Sequence, residues 1–138
     1  VPGAWGALLQ TERPVRDKAE EEPNRAGLPP LDWYHVLHKI DGSPRGFVRQ
    51  ASVQKSTQLA QYNVCRLVDR LEREELVERR TCPIDGRNNV VVITEKGRAL
   101  RRSMWPVYAE AIQAHFGARL NPSEAEQLTG LLAKLHSS

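Results

Sequence analysis

The side chains best suited to chemistry in this chain are amides, a phenol and guanidinium groups gathered in one short segment. They are Gln61, Tyr62, Asn63, Arg66 and Arg70. Amide groups can pair with the edge of adenine, and guanidinium groups can pair with guanine or with phosphate oxygens. This chemistry is recognition rather than catalysis, and the target that it fits is duplex DNA.

These side chains do not all need to reach a base. Gln61 and Tyr62 are equally suited to phosphate contacts, and that alternative stays open. Arg70 lies later in the segment, away from the end of a helix that reads base edges. A contact with the DNA backbone, or an ion pair with Asp69 or Glu72, is therefore the better prediction for Arg70.

An amphipathic helix must carry this segment. Apolar residues recur at i, i+3, i+4 and i+7, the spacing of one helical face: Val64, Leu67, Val68 and Leu71. A second, shorter helix is expected within 47–55, and a turn near 58–60 joins it to the basic helix at about 61–74. Two helices across so short a turn predict a helix-turn-helix, whose second helix enters the major groove.

A β-hairpin is predicted directly after the basic helix. Strands at 76–80 and 90–94 flank a polar turn centred on 83–87, which is the pattern of a winged helix. Arg87 at this turn has no helical neighbour to pair with, so we expect it to enter the minor groove. Residues 79–102 contain seven Lys and Arg but only two carboxylates. This surplus of positive charge suits a surface that contacts phosphates.

Length and composition limit the class of protein. The chain has 138 residues, of which 40% are hydrophobic and 27% charged, which suits one domain with its own core. Cys65 and Cys82 show no CxxC spacing, so we expect no metal, no disulfide framework and no cofactor. No apolar run approaches a membrane span and no signal-like segment opens the sequence, which favours a cytoplasmic location.

The two ends of the chain are predicted to form further helices. Pro14 and Pro23 should limit residues 1–27 to a short helix followed by a kinked or loosely ordered segment. Thr94 can cap a long helix over about 95–117, and Asn121 can cap a last one with a leucine stripe. These apolar stripes are too extensive to be left in water, so we expect a homodimer.

The predicted fold class is therefore mainly α with a small antiparallel β wing. The winged helix-turn-helix core is expected at about 28–94, within a single domain of residues 1–138. The segments 1–27 and 95–138 are expected to be dimerisation helices.

Four ordered blocks, 66–74, 76–80, 85–87 and 93–100, resemble the multiple-antibiotic-resistance regulator (MarR) family of bacterial transcription factors. The resemblance implies a homodimer on a pseudo-palindromic operator. It also implies a regulator that responds to a small aromatic or phenolic ligand, as a repressor that the ligand releases or, less often, as an activator. It also implies that Asp85 orients arginines of the wing or of the recognition helix. Glu75 stands where the family commonly has glycine, so either a non-glycine residue adopts a left-handed conformation there or the turn differs from that of the family.

A ligand pocket implied by the resemblance would lie between the dimerisation helices and the DNA-binding lobe. Aromatic residues that could line it are Trp5, Trp33, Tyr34 and His35. The alternative is that these rings are ordinary core residues.

Other functions are weighed against this interpretation. The sequence lacks a Gly-x-Ser-x-Gly elbow, a phosphate-binding glycine loop and a His-Glu-x-x-His motif, so we expect no enzyme. Two alternatives stay open: a thiol-redox response through Cys65 or Cys82, and a winged helix that binds protein. A protein-binding wing would be expected to carry exposed apolar anchors.

Overall fold

The computed structural model of the chain describes residues 2–57, 61–87 and 90–136, with side chains described except at 54–57, 61, 62 and 136. A 3₁₀ turn at Gly117–Arg119 separates the last two helices. The other elements, in chain order, are α1 (Pro2–Arg25), α2 (Leu31–Asp41), β1 (Val48–Arg49), α3 (Gln50–Thr57), α4 (Gln61–Arg73), β2 (Val77–Arg80), β3 (Val90–Ile93), α5 (Glu95–His115) and α6 (Pro122–His136).

The chain forms two compact units. One contains residues 29–106, and the other contains 1–28 together with 107–138. The mainly helical fold with a small antiparallel sheet confirms the predicted fold class. The assignment of DNA binding and dimerisation to separate parts of the chain stays a prediction.

The 29–106 unit holds a three-stranded antiparallel sheet in the order β1-β3-β2. In the hairpin, Val77 is opposite Ile93 and Arg80 is opposite Val90, as expected for a wing. The short helix expected within 47–55 is present as α3, which begins at residue 50 and extends to residue 57. The sequence did not predict the strand before it, in which Val48 and Arg49 pair with β3. A two-residue strand is too short to show the alternation of apolar and polar residues in the sequence, and only its pairing with β3 identifies it.

The core of this unit confirms the predicted helical face. Val64, Val68 and Leu71 of α4 are buried, and Leu67 is partly buried against the same core. The apolar residues of α2 and the strands complete it, including Val36, Leu37, Ile40, Val77 and Val91. Burial of these aliphatic side chains fixes which face of α4 is left for solvent.

A left-handed residue ends α4. Glu75 has φ 63°, so the structure selects the left-handed conformation from the two alternatives left open by the sequence. The amide of Leu76 donates to the carbonyl of Leu71 and the amide of Glu75 donates to that of Glu72, the bonding pattern of a Schellman motif. The chain thereby turns sharply from α4 into β2.

Thr94 caps α5, as predicted. Its hydroxyl accepts a hydrogen bond from the amide of Gly97 at 3.0 Å and donates one to the carbonyl of Glu75 at 2.7 Å. One side chain therefore joins the start of α5 to the turn that ends α4.

The second unit corrects the prediction for the first helix. The segment 1–27 was expected to hold a short helix and a kinked remainder, but α1 runs from Pro2 to Arg25 through both prolines. Ala19 and Pro23 are buried, and the Tyr108 hydroxyl donates to Asn24 Oδ1 at 3.5 Å. Tertiary packing of this kind offsets the backbone hydrogen bonds that the prolines cannot donate.

The last helix begins as predicted. Asn121 Oδ1 accepts from the amide of Glu124 at 2.8 Å, and Glu124 Oε1 accepts from the amide of Asn121 at 2.9 Å, a reciprocal capping box.

None of the helices in the described ranges has the length and the apolar content that a membrane crossing takes.

Candidate nucleic-acid interface

The solvent-facing side of α4 carries the predicted recognition residues that the structure describes. Asn63, Arg66 and Arg70 are exposed there, opposite the buried apolar face. The backbone of Gln61 and Tyr62 forms the start of this helix, but the predictions for their side chains lie outside the described residues. The helix therefore presents an amide and two guanidinium groups to solvent.

Arg70 has a different ion-pair partner from the two expected from the sequence. Its Nε lies 3.4 Å from Glu74 Oε1, and its guanidinium carbon lies 5.8 Å from the centre of the Trp33 ring. The expected pairing with Asp69 or Glu72 was wrong, since residues one or two positions apart on a helix do not face each other. Both contacts leave Arg70 more than half exposed.

Asp69 and Glu72 instead bind Arg79 of β2. The Arg79 guanidinium contacts Asp69 Oδ1 at 2.7 Å and Glu72 Oε1 at 3.0 Å, and its Nε donates to Gln50 Oε1 at 3.2 Å. The backbone amide of Arg79 also donates to Glu72 Oε2 at 3.0 Å. This network, which sequence reasoning missed, joins α4 to the wing strand and to the start of α3.

Much of the charge surplus at 79–102 is neutralised inside the unit. Arg80 pairs with Glu78, while Arg98 and Arg101 both bind Asp41. Burial raises the pKa of the Asp41 carboxyl, but hydrogen bonds from Arg101 and Arg98 outweigh it and hold that pKa below its ordinary value. These arginines are therefore less available to phosphates than their number suggests.

The wing tip is a closed turn with its own hydrogen bonds. The amide of Cys82 donates to the carbonyl of Arg87, and the amide of Gly86 donates to that of Cys82 at 2.9 Å. Gly86 has φ 73°, a conformation that a side chain would disfavour. Asp85 Oδ1 accepts from the amide of Arg87 at 3.1 Å, so the backbone at Arg87 is held from both sides.

Arg49 of β1 fixes this tip from the sheet. Its Nη2 donates to Asp85 Oδ2 at 2.7 Å. The Arg87 amide and the Arg49 guanidinium together lower the pKa of the Asp85 carboxyl, and the hydrogen bond to Asp85 raises the pKa of Arg49. Arg49 was not among the predicted site residues, because nothing near it in sequence indicates a partner 36 positions away.

This arrangement predicts a pH-dependent wing. The pKa of Asp85 is lowered by folding, so the contacts of its carboxylate are complete above the ordinary value of 3.8 and are lost as the pH falls through the folded-state pKa. Asp85→Asn should therefore speed amide hydrogen exchange at Arg87 by a factor on the order of five, measured by NMR at neutral pH. Equal exchange rates in the variant and the wild type would show that the carboxylate does not hold the tip.

The guanidinium of Arg87 itself forms no ion pair within the described residues, and the residue is exposed. Its backbone is fixed by Asp85 and Cys82, while its side chain extends from a rigid tip. A cation presented in this way can enter a narrow groove of a polyanion without first breaking a contact of its own.

The four aromatic residues predicted for a ligand pocket lie in different surroundings. Trp5 on α1 is 63% exposed. Tyr34 is buried in a stack between His38 and Trp105, at centroid distances of 5.5 and 5.0 Å, and His35 meets it edge-on. Trp33 lines an open cavity of about 430 Å³ beside the turn that ends α4.

Both cysteines accept hydrogen bonds, one from the last residue of β1 and the other from the first residue of α3. Gln50 Nε2 lies 3.1 Å from Cys65 Sγ, and Arg49 Nη2 lies 3.5 Å from the buried Cys82 Sγ. Across the described ranges, no three His, Cys, Asp or Glu side chains are grouped closely enough to hold a metal ion.

The 29–106 unit has the architecture of a winged helix-turn-helix protein. It combines the helices α2, α3 and α4 with a three-stranded sheet, and an arginine lies at the tip of the hairpin of that sheet. Residues 26–88 match the model of the MarR family. This match covers a little less than half of the chain, and the chain is similar to the transcriptional regulators of the MarR family. Its relatives are regulators rather than enzymes, in agreement with the prediction from the sequence.

Three relatives illustrate the similarity. The chain is 27% identical over 128 residues to the HTH-type transcriptional regulator MhqR of Bacillus subtilis strain 168, covering 93% of this chain and 86% of that protein. It is 27% identical to Bordetella bronchiseptica BpsR, whose DNA binding is regulated by 6-hydroxynicotinic acid, with a TM-score of 0.82 over 96% of this chain and 93% of that one. Streptomyces coelicolor Sco3205, solved in complex with DNA, shares the fold with a TM-score of 0.86 and 23% identity, over 96% and 83% of the two chains.

Proposed function

We propose that this chain binds a pseudo-palindromic operator in duplex DNA as a homodimer and represses transcription in the bacterial cytoplasm. The observation that carries the proposal is the Arg87 guanidinium, which extends without an ion-pair partner among the described residues from a wing tip fixed by Asp85 and Arg49. Neighbouring arginines are held in ion pairs, so Arg87 is the cation of the wing best suited to a DNA groove.

Each exposed residue then has a role. Asn63 and Arg66, with Gln61 and Tyr62 at the start of α4, contact base edges in the major groove. Arg70 contacts the DNA backbone, and Arg87 enters the minor groove beside it. Asp85 keeps the wing in the conformation that delivers Arg87.

The homodimer is supported by apolar side chains that the single chain leaves in water. Trp5, Phe116, Leu131 and Leu135 are each at least 41% exposed. Monomeric proteins rarely leave so many large apolar groups uncovered near the chain ends, and a second copy would cover them. A pair of recognition helices would then meet two half-sites, as the inverted repeat of a pseudo-palindrome requires.

We also propose release of the operator by a small aromatic or phenolic ligand. The regulation of BpsR by 6-hydroxynicotinic acid supports this class of effector. The candidate contacts within the 29–106 unit are the rings of Trp33, Tyr34 and His35. A ligand that prefers a dimer with a different spacing of recognition helices would lower DNA affinity by linkage.

Selection from random duplex DNA with the purified protein tests the main proposal. We expect an enriched inverted repeat, which would demonstrate both sequence specificity and a twofold-symmetric protein. Affinity for that repeat should fall with salt, with a log–log slope near −0.9 for each phosphate contact. Recovery of no common sequence, or an affinity that does not depend on salt, would contradict DNA recognition.

A protein-binding winged helix is the second candidate, because Ile84 at the wing tip is 63% exposed. That side chain is the type of apolar anchor expected of a protein-binding wing.

A thiol response is supported by one contact: Gln50 joins Cys65 to Arg79, so a chemical change at that sulfur would disturb the ion pairs that hold α4.

A further inference from the structure

An apolar side chain lies at the apex of the wing turn. Residues 82–86 form this turn, which the hydrogen bond from the Gly86 amide to the Cys82 carbonyl closes at 2.9 Å. Ile84 is its central residue, and its side chain is exposed. Among the described residues of the 29–106 unit, the other exposed large apolar side chain is Trp105, which stacks on Tyr34. Turns favour Gly, Asn, Asp, Ser and Pro, so turn formation does not explain an isoleucine at this position.

The turn holds Ile84 in a fixed position. Pro83 restricts the backbone directly before it. Directly after it, the Asp85 carboxylate accepts from Arg49 Nη2 at 2.7 Å and from the Arg87 amide at 3.1 Å. Ile84 therefore lies between two restrained residues, and little conformational freedom would be lost if it entered a narrow site.

The charges around Ile84 favour a polyanion as the partner of this apex. Asp85 is the acidic residue of the turn, and its carboxylate is engaged by Arg49 and by the Arg87 amide. The Arg87 guanidinium, three positions after Ile84, forms no ion pair within the described residues. An apolar group beside such a cation matches the minor groove of DNA, where sugar edges form the walls and phosphates form the rims.

An apolar side chain in the minor groove acts on DNA in a way that amides and guanidinium groups do not. It can insert between two base pairs, partly unstack them and kink the duplex. Unstacking costs least at the flexible pyrimidine–purine steps TA and CA/TG. Such a wedge selects a sequence without a hydrogen bond to any base.

We propose that Ile84 is an apolar wedge that enters the minor groove beside Arg87 and partly unstacks a flexible base step in each half of the operator. This inference rests on the proposed function, because it requires the wing to lie on duplex DNA. It adds a second wing residue to that function, together with a distortion of the DNA and a sequence preference at the unstacked step.

The base analogue 2-aminopurine, in place of single adenines of the selected operator, tests the wedge. Its fluorescence rises when it is unstacked, and both TA and CA/TG steps contain an adenine. We expect wild-type protein to raise the fluorescence about twofold or more at one step in each half-site, and Ile84→Ala to leave it at the level of free DNA. Ile84→Leu keeps the apolar bulk and should still raise it. Operator binding without a rise at any adenine would overturn the wedge and leave DNA recognition intact.

Operator affinity distinguishes a wedge from a structural role of Ile84 in the turn. Ile84→Ala should weaken binding by about fivefold, because an apolar contact with DNA is lost. The log–log salt slope should not change, since no charge is removed, whereas a displaced Arg87 would lower its magnitude by about one. A lowered slope would assign Ile84 to shaping the turn and overturn the inference. Wild-type affinity in Ile84→Ala would also overturn it, and would leave this side chain to a protein partner.

Selection from random duplex DNA with Ile84→Ala separates this inference from the proposed function. The wild type should enrich a TA or CA/TG step at a constant distance from the bases that α4 contacts, in both halves of the inverted repeat. Ile84→Ala should recover the same inverted repeat without that step. Recovery of the step by the variant would overturn the wedge alone. Recovery of no common sequence by the wild type would overturn the proposed function and the wedge together.

Discussion

Replacing Arg87 with alanine is expected to lower operator affinity by about 30-fold, which corresponds to roughly 2 kcal/mol. Its guanidinium is the wing cation that forms no ion pair within the described residues, so no internal contact is lost with it. The full effect should therefore appear in DNA binding. Fluorescence anisotropy at a fixed physiological salt concentration measures it, and the magnitude of the log–log salt slope should fall by about one.

Arg80→Ala is the matched control for this variant. Arg80 is an exposed arginine of the same hairpin, but it is paired with Glu78 at 2.6 Å. Its removal should change operator affinity little, because the pair already neutralises its charge. Both variants should melt at the temperature of the wild type. An unaltered operator affinity in Arg87→Ala would remove the wing from the proposed mechanism.

Replacing Gly97 with alanine should cause a large loss of stability. A Cβ at this position would overlap the carbonyl oxygen of Leu76 and lie 2.8 Å from Ile93 Cγ1. The backbone of Leu76 cannot move without disturbing the turn that ends α4 and the cap of α5. We expect the free energy of unfolding to fall by about 3 kcal/mol, as measured by urea denaturation.

Gly130→Ala provides the opposite result for comparison. Gly130 lies within α6, and a Cβ there meets no atom within 4 Å. Alanine should therefore stabilise the helix by about 0.5–1 kcal/mol, because the unfolded chain loses conformational freedom. A Gly97→Ala variant as stable as the wild type would contradict the close packing of α5 against the turn after α4.

Features that depend on residues close together in the chain could be predicted from the sequence. The buried face of α4 follows from apolar side chains spaced three and four apart, which can share one surface only in a helix. Thr94 and Asn121 could be predicted as caps because a capping side chain bonds to an amide three residues later. Glu75 was singled out only by the resemblance, because the MarR family commonly has glycine there, and the structure decided that it is left-handed.

Features that depend on distant partners could not be predicted. Arg79 was counted among the phosphate cations, yet the fold places it beside Asp69 and Glu72. The two-residue strand β1 exists only because β3 pairs with it. The helix α1 passes through two prolines because the packing of Ala19 and Pro23 outweighs a local preference.

The sequence by itself determined the amphipathic helix α4, its exposed basic face and the hairpin that follows, since local spacing and the burial of apolar groups decide all three. Only the tertiary structure decided which arginines are held in ion pairs. Ion pairing needs two side chains within about 4 Å, and the pairs Arg49–Asp85 and Arg98–Asp41 bring together residues that are 36 and 57 positions apart. The fold thus leaves the Arg87 guanidinium without an ion pair among the described residues, while neighbouring arginines are held in ion pairs within the unit.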